Sequence, residues 1–125
     1  MFSVSIVRRR AAPSRGREPW LTERVTSIAL LLLGTWLIAS LLLLPKLDQR
    51  TMVEWLRAPS GAVPMALFIV VGFRHALDGV KVVIDDYVHE EGSRFAWHTL
   101  MLFLAVGGAA LALYSLARIA FGAVA

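Results

Sequence analysis

Apolar residues run without a charge from Val25 to Leu44, in the stretch VTSIALLLLGTWLIASLLLL. A helix needs about 20 such residues to cross the hydrocarbon core of a bilayer. Two later runs, at about 62–88 and 95–121, have similar length and are separated by the polar turn HEEGSR. The pattern predicts an all-α membrane protein with three transmembrane helices, the first at about 25–44.

The polar segments divide the rest of the chain. Residues 1–22 form an Arg-rich tail that is predicted to be mostly disordered, and 23–125 form the membrane domain. The connecting segment 46–60 contains MVEWLRA, which favours a short interfacial helix with Trp55 at the level of the lipid headgroups.

Composition supports a membrane location. Hydrophobic residues make up 58% of the chain and charged residues 18%, against about 25% charged residues in soluble domains. There is no cysteine, which excludes disulfides and thiolate-bound iron–sulfur clusters within this sequence.

The positive charge predicts the orientation. Lys and Arg concentrate in cytoplasmic segments of membrane proteins. With three spans and the N-terminus inside, seven arginines face the cytoplasm and four basic residues face the other side. The seven are Arg8, Arg9, Arg10, Arg15, Arg17, Arg24 and Arg94, and the four are Lys46, Arg50, Arg57 and Arg118. A basic tail also suits nucleic acid, but its position directly before a span favours a role in orientation, so no nucleic-acid partner is expected.

The second predicted span is unusual because its second half, FRHALDGVKVVIDDYVH, carries charges. Ionisable groups at membrane depth are costly and suggest a functional site. Pairs at i,i+4 and i,i+3 would lower that cost on a helix; the expected pairs are Arg74–Asp78, Asp78–Lys81 and Lys81–Asp85. A different interpretation is a small homo-oligomeric transporter that uses Asp78, Lys81 or Asp85 as its coupling site.

His75 projects from a helical face with Gly72 and Gly79 one turn to either side. Small residues at this spacing allow close helix packing, across which a histidine can form a hydrogen bond. They also leave room for a haem whose iron the imidazole binds. At the depth of His75 the third span offers Gly107 and Gly108 but no histidine. A second histidine ligand would therefore belong to another polypeptide.

Asp86 and Tyr87 end the second predicted span. Tyr87 is typical of the aromatic belt at a membrane interface, and Asp86 of a solvated helix end. Together, a phenol hydroxyl supported by an aspartate would also suit a small ligand with a carbonyl group.

The motif HALDGVKVVIDDYVH, with His75, Gly79, Asp86 and Tyr87 in this register, resembles the family of small hydrophobic membrane anchors of succinate dehydrogenase, respiratory complex II. The stretch RVTSIAL from Arg24 is similar to that family as well. The resemblance covers about residue 20 to the end of the chain.

The resemblance implies a helical bundle shared with a cytochrome b subunit, on which a flavoprotein and an iron–sulfur protein are anchored. It implies that His75 is an axial ligand of a shared b-type haem, with Arg24 near a haem propionate; Gly72 and Gly79, described above, would give that haem clearance. Asp86 and Tyr87 would border the ubiquinone site.

Electrons would then pass from succinate to quinone, with no catalytic residue for succinate in this chain. The expected location is the bacterial cytoplasmic membrane, with the mitochondrial inner membrane as the alternative. A purely structural anchor without a cofactor is the third interpretation.

Overall fold

The computed structural model describes residues 17–122, and every element in that part of the chain is helical. Three long helices, α1 (Arg17–Leu43), α3 (Pro59–Tyr87) and α4 (Glu91–Ala120), are joined by a short helix α2 (Gln49–Arg57) and a brief turn. The predicted all-α fold and the predicted short helix around Trp55 are confirmed.

The long helices extend beyond the predicted spans at their N-terminal ends. α1 begins at Arg17 rather than at Val25, and α4 begins at Glu91 rather than at residue 95. Helical hydrogen bonding already begins before the first apolar residue, where polar side chains reach water, so hydropathy marks the membrane crossing rather than the helix end. The first 16 residues of the predicted tail lie outside the described residues.

Two of the long helices are long and apolar enough to cross a membrane by length and composition, at Trp20–Leu43 and Glu91–Ala120. Helix α3 lies between them in the chain and is apolar only in its first half. Its place as a third crossing stays a prediction.

Helix α2 is fixed at both ends by local chemistry. The Asp48 carboxylate accepts a hydrogen bond from the Thr51 amide at 2.9 Å and caps the first turn. Hydrogen bonds from the Thr51 side chain and amide lower the pKa of Asp48 from its ordinary value. Ala58 then breaks the helix with extended backbone, and Pro59 starts α3 at a position where a missing N–H is tolerated.

Helix α3 is the central element. It packs against α1 on one side and α4 on the other, while α2 packs on α3 and α4; within residues 17–122, the backbones of α1 and α4 do not come close to each other. The ring of Trp36 on α1 stacks on Trp55 of α2, with centroids 5.6 Å apart. The membrane helices therefore form an open layer rather than a closed bundle.

This open layer has almost no core of its own. Among the described residues, the hydrophobic side chains classed as buried are Leu77, Ile84 and Leu116, and long rows of leucine, valine and phenylalanine are exposed. In a membrane protein such surfaces are covered by lipid or by other membrane subunits.

We expect Gly61→Ala to destabilise the protein by about 1–3 kcal/mol, because an added Cβ would overlap the Trp55 carbonyl oxygen in the α2–α3 junction. Backbone atoms cannot move aside without shifting α2. Thermal denaturation in detergent would measure the change. Gly34→Ala is the matched control, since a Cβ there meets no atom within 4 Å; equal midpoints for the two variants would contradict the expectation.

Candidate functional site: a groove between helices α1 and α3

His75 lies on the side of α3 that faces α1 and is half-buried. Its Nδ1 lies 3.2 Å from the hydroxyl oxygen of Thr26 on α1. The same hydroxyl lies 2.8 Å from the Thr22 carbonyl oxygen of its own helix. The imidazole is therefore tied at Nδ1 to a neighbouring helix, and Nε2 is the nitrogen left for another partner.

A groove of about 450 Å³ opens beside this imidazole. Helices α1 and α3 both line it, with Glu23, Arg24, Ser27, His75, Gly79 and Val82. A Cβ added at Gly79 would meet no atom within 4 Å, so this glycine keeps open space in front of the helix. The groove thus combines one imidazole, one guanidinium, one carboxylate and a surface without a side chain.

Arg24 approaches the groove from α1. Its guanidinium carbon lies 5.1 Å from the centre of the Trp20 ring, a cation–π arrangement that holds the charge near the end of the helix. A guanidinium binds carboxylates through parallel hydrogen bonds. An acidic group on a ligand in the groove would therefore find a partner in Arg24.

Gly72 does not line the groove of His75. A Cβ on Gly72 would meet the Leu30 side chain at 3.8 Å, an ordinary packing distance. The residue lines a separate apolar groove of about 280 Å³ with Phe68, Ile69, Phe73 and Ala76. Of the two glycines predicted to give clearance, the structure brings only Gly79 together with His75.

Asp86 and Tyr87 form the last turn of α3. Asp86 follows Val82 by one turn on the face of His75, and both Asp86 and Tyr87 are exposed, Tyr87 by 81%. Neither side chain has a hydrogen-bond partner in the part of the chain that is described. Tyr87 lies about 18 Å along the helix axis from His75, from a rise of about 1.5 Å per residue. The two predicted sites are therefore separate.

The charged residues of α3 pair differently from part of the prediction. Arg74 Nε lies 3.1 Å from Asp78 Oδ2, which confirms that pair. Asp85 does not pair with Lys81. Its Oδ1 lies 3.0 Å from Nε2 of His98 and 4.0 Å from Nε of Arg94, both on α4.

The expected Asp78–Lys81 and Lys81–Asp85 pairs are therefore wrong. The carboxylate of Asp85 turns toward α4, where two donors are available. Arg94 also donates to the Val88 carbonyl at 3.2 Å, so this contact fastens the α3–α4 turn. Two of the three residues expected to act in coupling, Asp78 and Asp85, are held in local pairs, so the structure does not favour the transporter interpretation.

His98 is about ten residues from the level of His75, or about 15 Å along a helix, and its Nε2 contacts Asp85. Between residues 17 and 122, no group of three or more His, Cys, Asp or Glu side chains is arranged to hold a metal ion. His75 is accordingly a single candidate ligand and not part of a complete metal site.

The helices are long and apolar, they form an open layer without a core, and one histidine lies in a groove between two of them. These features define a membrane-embedded component of a larger assembly. The sequence profile of the succinate dehydrogenase/fumarate reductase transmembrane subunit matches residues 7–116. The chain belongs to this family, and the predicted resemblance is confirmed.

The curated relatives agree. The succinate dehydrogenase hydrophobic membrane anchor subunit of Rickettsia conorii is 34% identical over 90 residues, covering 70% of this chain and 71% of the relative. The corresponding protein of Rickettsia bellii is 30% identical over 89 residues, with coverage of 70% and 71%. That of Paracoccus denitrificans is 33% identical over 78 residues, with coverage of 62% and 60%. No solved structure matches the chain. These relatives support the identification of the chain as a membrane anchor of succinate dehydrogenase.

Proposed function

We propose that this membrane anchor supplies one axial ligand of a b-type haem shared with a second membrane protein of the complex, and completes a ubiquinone site at the end of α3. The main support for the haem site is that His75, Arg24 and Gly79 line one groove, and that the Nδ1 atom of His75 is already engaged by Thr26.

The groove residues fit a haem by their chemistry. The free Nε2 of His75 suits the iron, Gly79 leaves space for a flat ring, and the Arg24 guanidinium suits a propionate. A bound b-type haem would supply one-electron redox chemistry in the membrane. The other two histidines among residues 17–122, His89 and His98, lie at or near the α3–α4 turn. A second imidazole ligand would therefore come from a partner chain, the cytochrome b subunit.

Tyr87 and Asp86 suit a quinone at the membrane surface. The exposed Tyr87 hydroxyl can donate a hydrogen bond to a quinone carbonyl, and Asp86 borders the same end of α3. Two exposed polar side chains on the end of a long helix leave room for an iron–sulfur protein to close the site. Gly72 does not line the groove of His75, so we assign the haem clearance to Gly79 alone.

The topology we propose has three crossings with the N-terminus in the cytoplasm of a bacterium. The distribution of seven basic residues against four supports it. Helix α3, with 29 residues, is about 43 Å long, so a hydrocarbon core of about 30 Å leaves its charged end outside or at the headgroups. The end with Asp86 and Tyr87 would then face the cytoplasm, where the flavoprotein and the iron–sulfur protein would dock.

The first experiment is to purify this protein from its native membrane in mild detergent and record a reduced-minus-oxidised visible spectrum. We expect three partner chains and a b-type α-band. Partners without the band would leave the cofactor-free anchor and remove the haem proposal. A stable, monodisperse protein with neither partners nor band would contradict the whole proposal.

We expect Gly79→Leu to lower the haem content of the complex several-fold, because a leucine side chain would fill the open space beside His75. The measurement is haem per complex from the reduced spectrum. Gly107→Leu is the matched control, since a Cβ there also meets no atom within 4 Å, but on another helix. Equal haem content in both variants would argue against a haem in this groove.

A further inference from the structure

The His75 imidazole is held by a residue 49 positions earlier in the chain. We propose that Thr26 is a positioning residue that fixes the tautomer of His75, with the proton on Nδ1 and the lone pair on Nε2. The proposal rests on the proposed haem role of His75 and assigns a function to a residue that the sequence pattern did not single out.

The direction of the hydrogen bond follows from the neighbours of Thr26. A threonine hydroxyl has one proton to donate and two lone pairs to accept with. Its oxygen lies 2.8 Å from the Thr22 carbonyl oxygen and 3.1 Å from that of Glu23, while Nδ1 of His75 is the farthest of the three at 3.2 Å. A helical threonine donates to the carbonyl one turn earlier.

The proton of the Thr26 hydroxyl is therefore directed into its own helix, and a lone pair is left for Nδ1. Nδ1–H of His75 donates to the Thr26 oxygen. A neutral imidazole carries one proton, so Nε2 must be the unprotonated nitrogen. Only an unprotonated nitrogen can bind a metal ion, and the Thr26 contact selects which one it is.

The hydrogen bond should also change the reduction potential of the haem iron. A partner that accepts the second N–H of a ligating histidine raises the basicity of the ligand and fixes the orientation of the ring. A more basic imidazole favours the ferric state and lowers the reduction potential. Removing the acceptor therefore favours the ferrous state and raises the potential.

Thr26→Val in the intact complex tests this, because valine keeps the branched shape and loses the oxygen. We expect the ratio of reduced to oxidised haem at a fixed potential to rise about tenfold, an upward shift of about 59 mV for one electron. The measurement is a redox titration of the α-band, with the electron paramagnetic resonance spectrum of the ferric haem recorded alongside it.

Two further variants separate positioning from packing. Thr26→Ser keeps the hydroxyl and should titrate like the unmodified complex. Thr35→Val removes another α1 hydroxyl that also bonds the carbonyl one turn earlier, at 2.7 Å from Leu31, and should leave the potential unchanged. Loss of haem in Thr26→Val with retention in Thr26→Ser would also support the role.

An unchanged potential and ferric spectrum in Thr26→Val would overturn the inference while leaving haem binding by His75 intact. Equal disturbance in the serine and valine variants would overturn it as well, since a side-chain packing effect would then explain both. Absence of haem from the unmodified complex would instead refute the proposed function, so the two failures are distinguishable.

Discussion

In the His75→Ala variant, the b-type α-band of the purified complex should weaken or shift, and the ferric resonance spectrum should lose its signature of two strong axial ligands. Loss of a hydrogen-bond partner of a metal ligand already weakens affinity by roughly 10–100-fold. Loss of the ligand itself should weaken haem binding by at least that much. The measurements are haem content per complex and the reduced-minus-oxidised spectrum.

His98→Ala is the matched control for this substitution. His98 is also a half-buried histidine of a long helix, but its Nε2 is engaged with Asp85 at 3.0 Å near the α3–α4 turn. We expect its spectrum to match that of the unmodified complex. If His75→Ala also keeps an unchanged α-band and full haem content, His75 is not an axial ligand, and the histidine packs the α1–α3 interface.

The second large effect is expected at the proposed ubiquinone site at the end of α3. Tyr87→Phe should lower quinone reduction at limiting ubiquinone about tenfold, because the quinone carbonyl loses one donor. A hydrogen bond worth about 1.4 kcal/mol corresponds to a tenfold change in affinity. Succinate oxidation measured with a soluble dye should be unaffected, since that reaction does not need the quinone site.

Comparison of quinone reduction with dye-linked succinate oxidation shows whether a loss of activity arises at the quinone site. Tyr114→Phe is a suitable control, because Tyr114 is also exposed, by 62%, but lies on α4 beside Arg118 at the other end of the layer. Unchanged quinone reduction in Tyr87→Phe would exclude Tyr87 from the quinone site. A parallel loss of dye-linked succinate oxidation would indicate failed assembly, and would likewise count against a specific role of the phenol.

Features governed by neighbours within one helix were accessible from the sequence. The apolar run from Val25 to Leu44 predicted the first long helix, because its length matches the membrane. The Arg74–Asp78 pair was predicted because residues four apart are neighbours on any helix. Membership of the succinate dehydrogenase anchor family was also evident from the register of His75 with the Asp–Tyr pair.

Contacts between helices were not accessible in this way. The partners of Asp85 were predicted within α3 and lie on α4 instead, because His98 and Arg94 offer closer donors once the two helices pack. Thr26 stands in the stretch RVTSIAL two residues after Arg24, but nothing in the spacing of that stretch indicates that it meets His75.

The sequence by itself determined the helices, their order and the family. The tertiary structure alone decided which side chains share a groove, so that Gly79 lies beside His75 while Gly72 lines a separate apolar groove. The physical reason is that helical periodicity fixes angles within one helix, whereas the axial offset and rotation between helices depend on side-chain packing. Close packing such as that at Gly108, where an added Cβ would overlap the Phe73 ring, sets that offset.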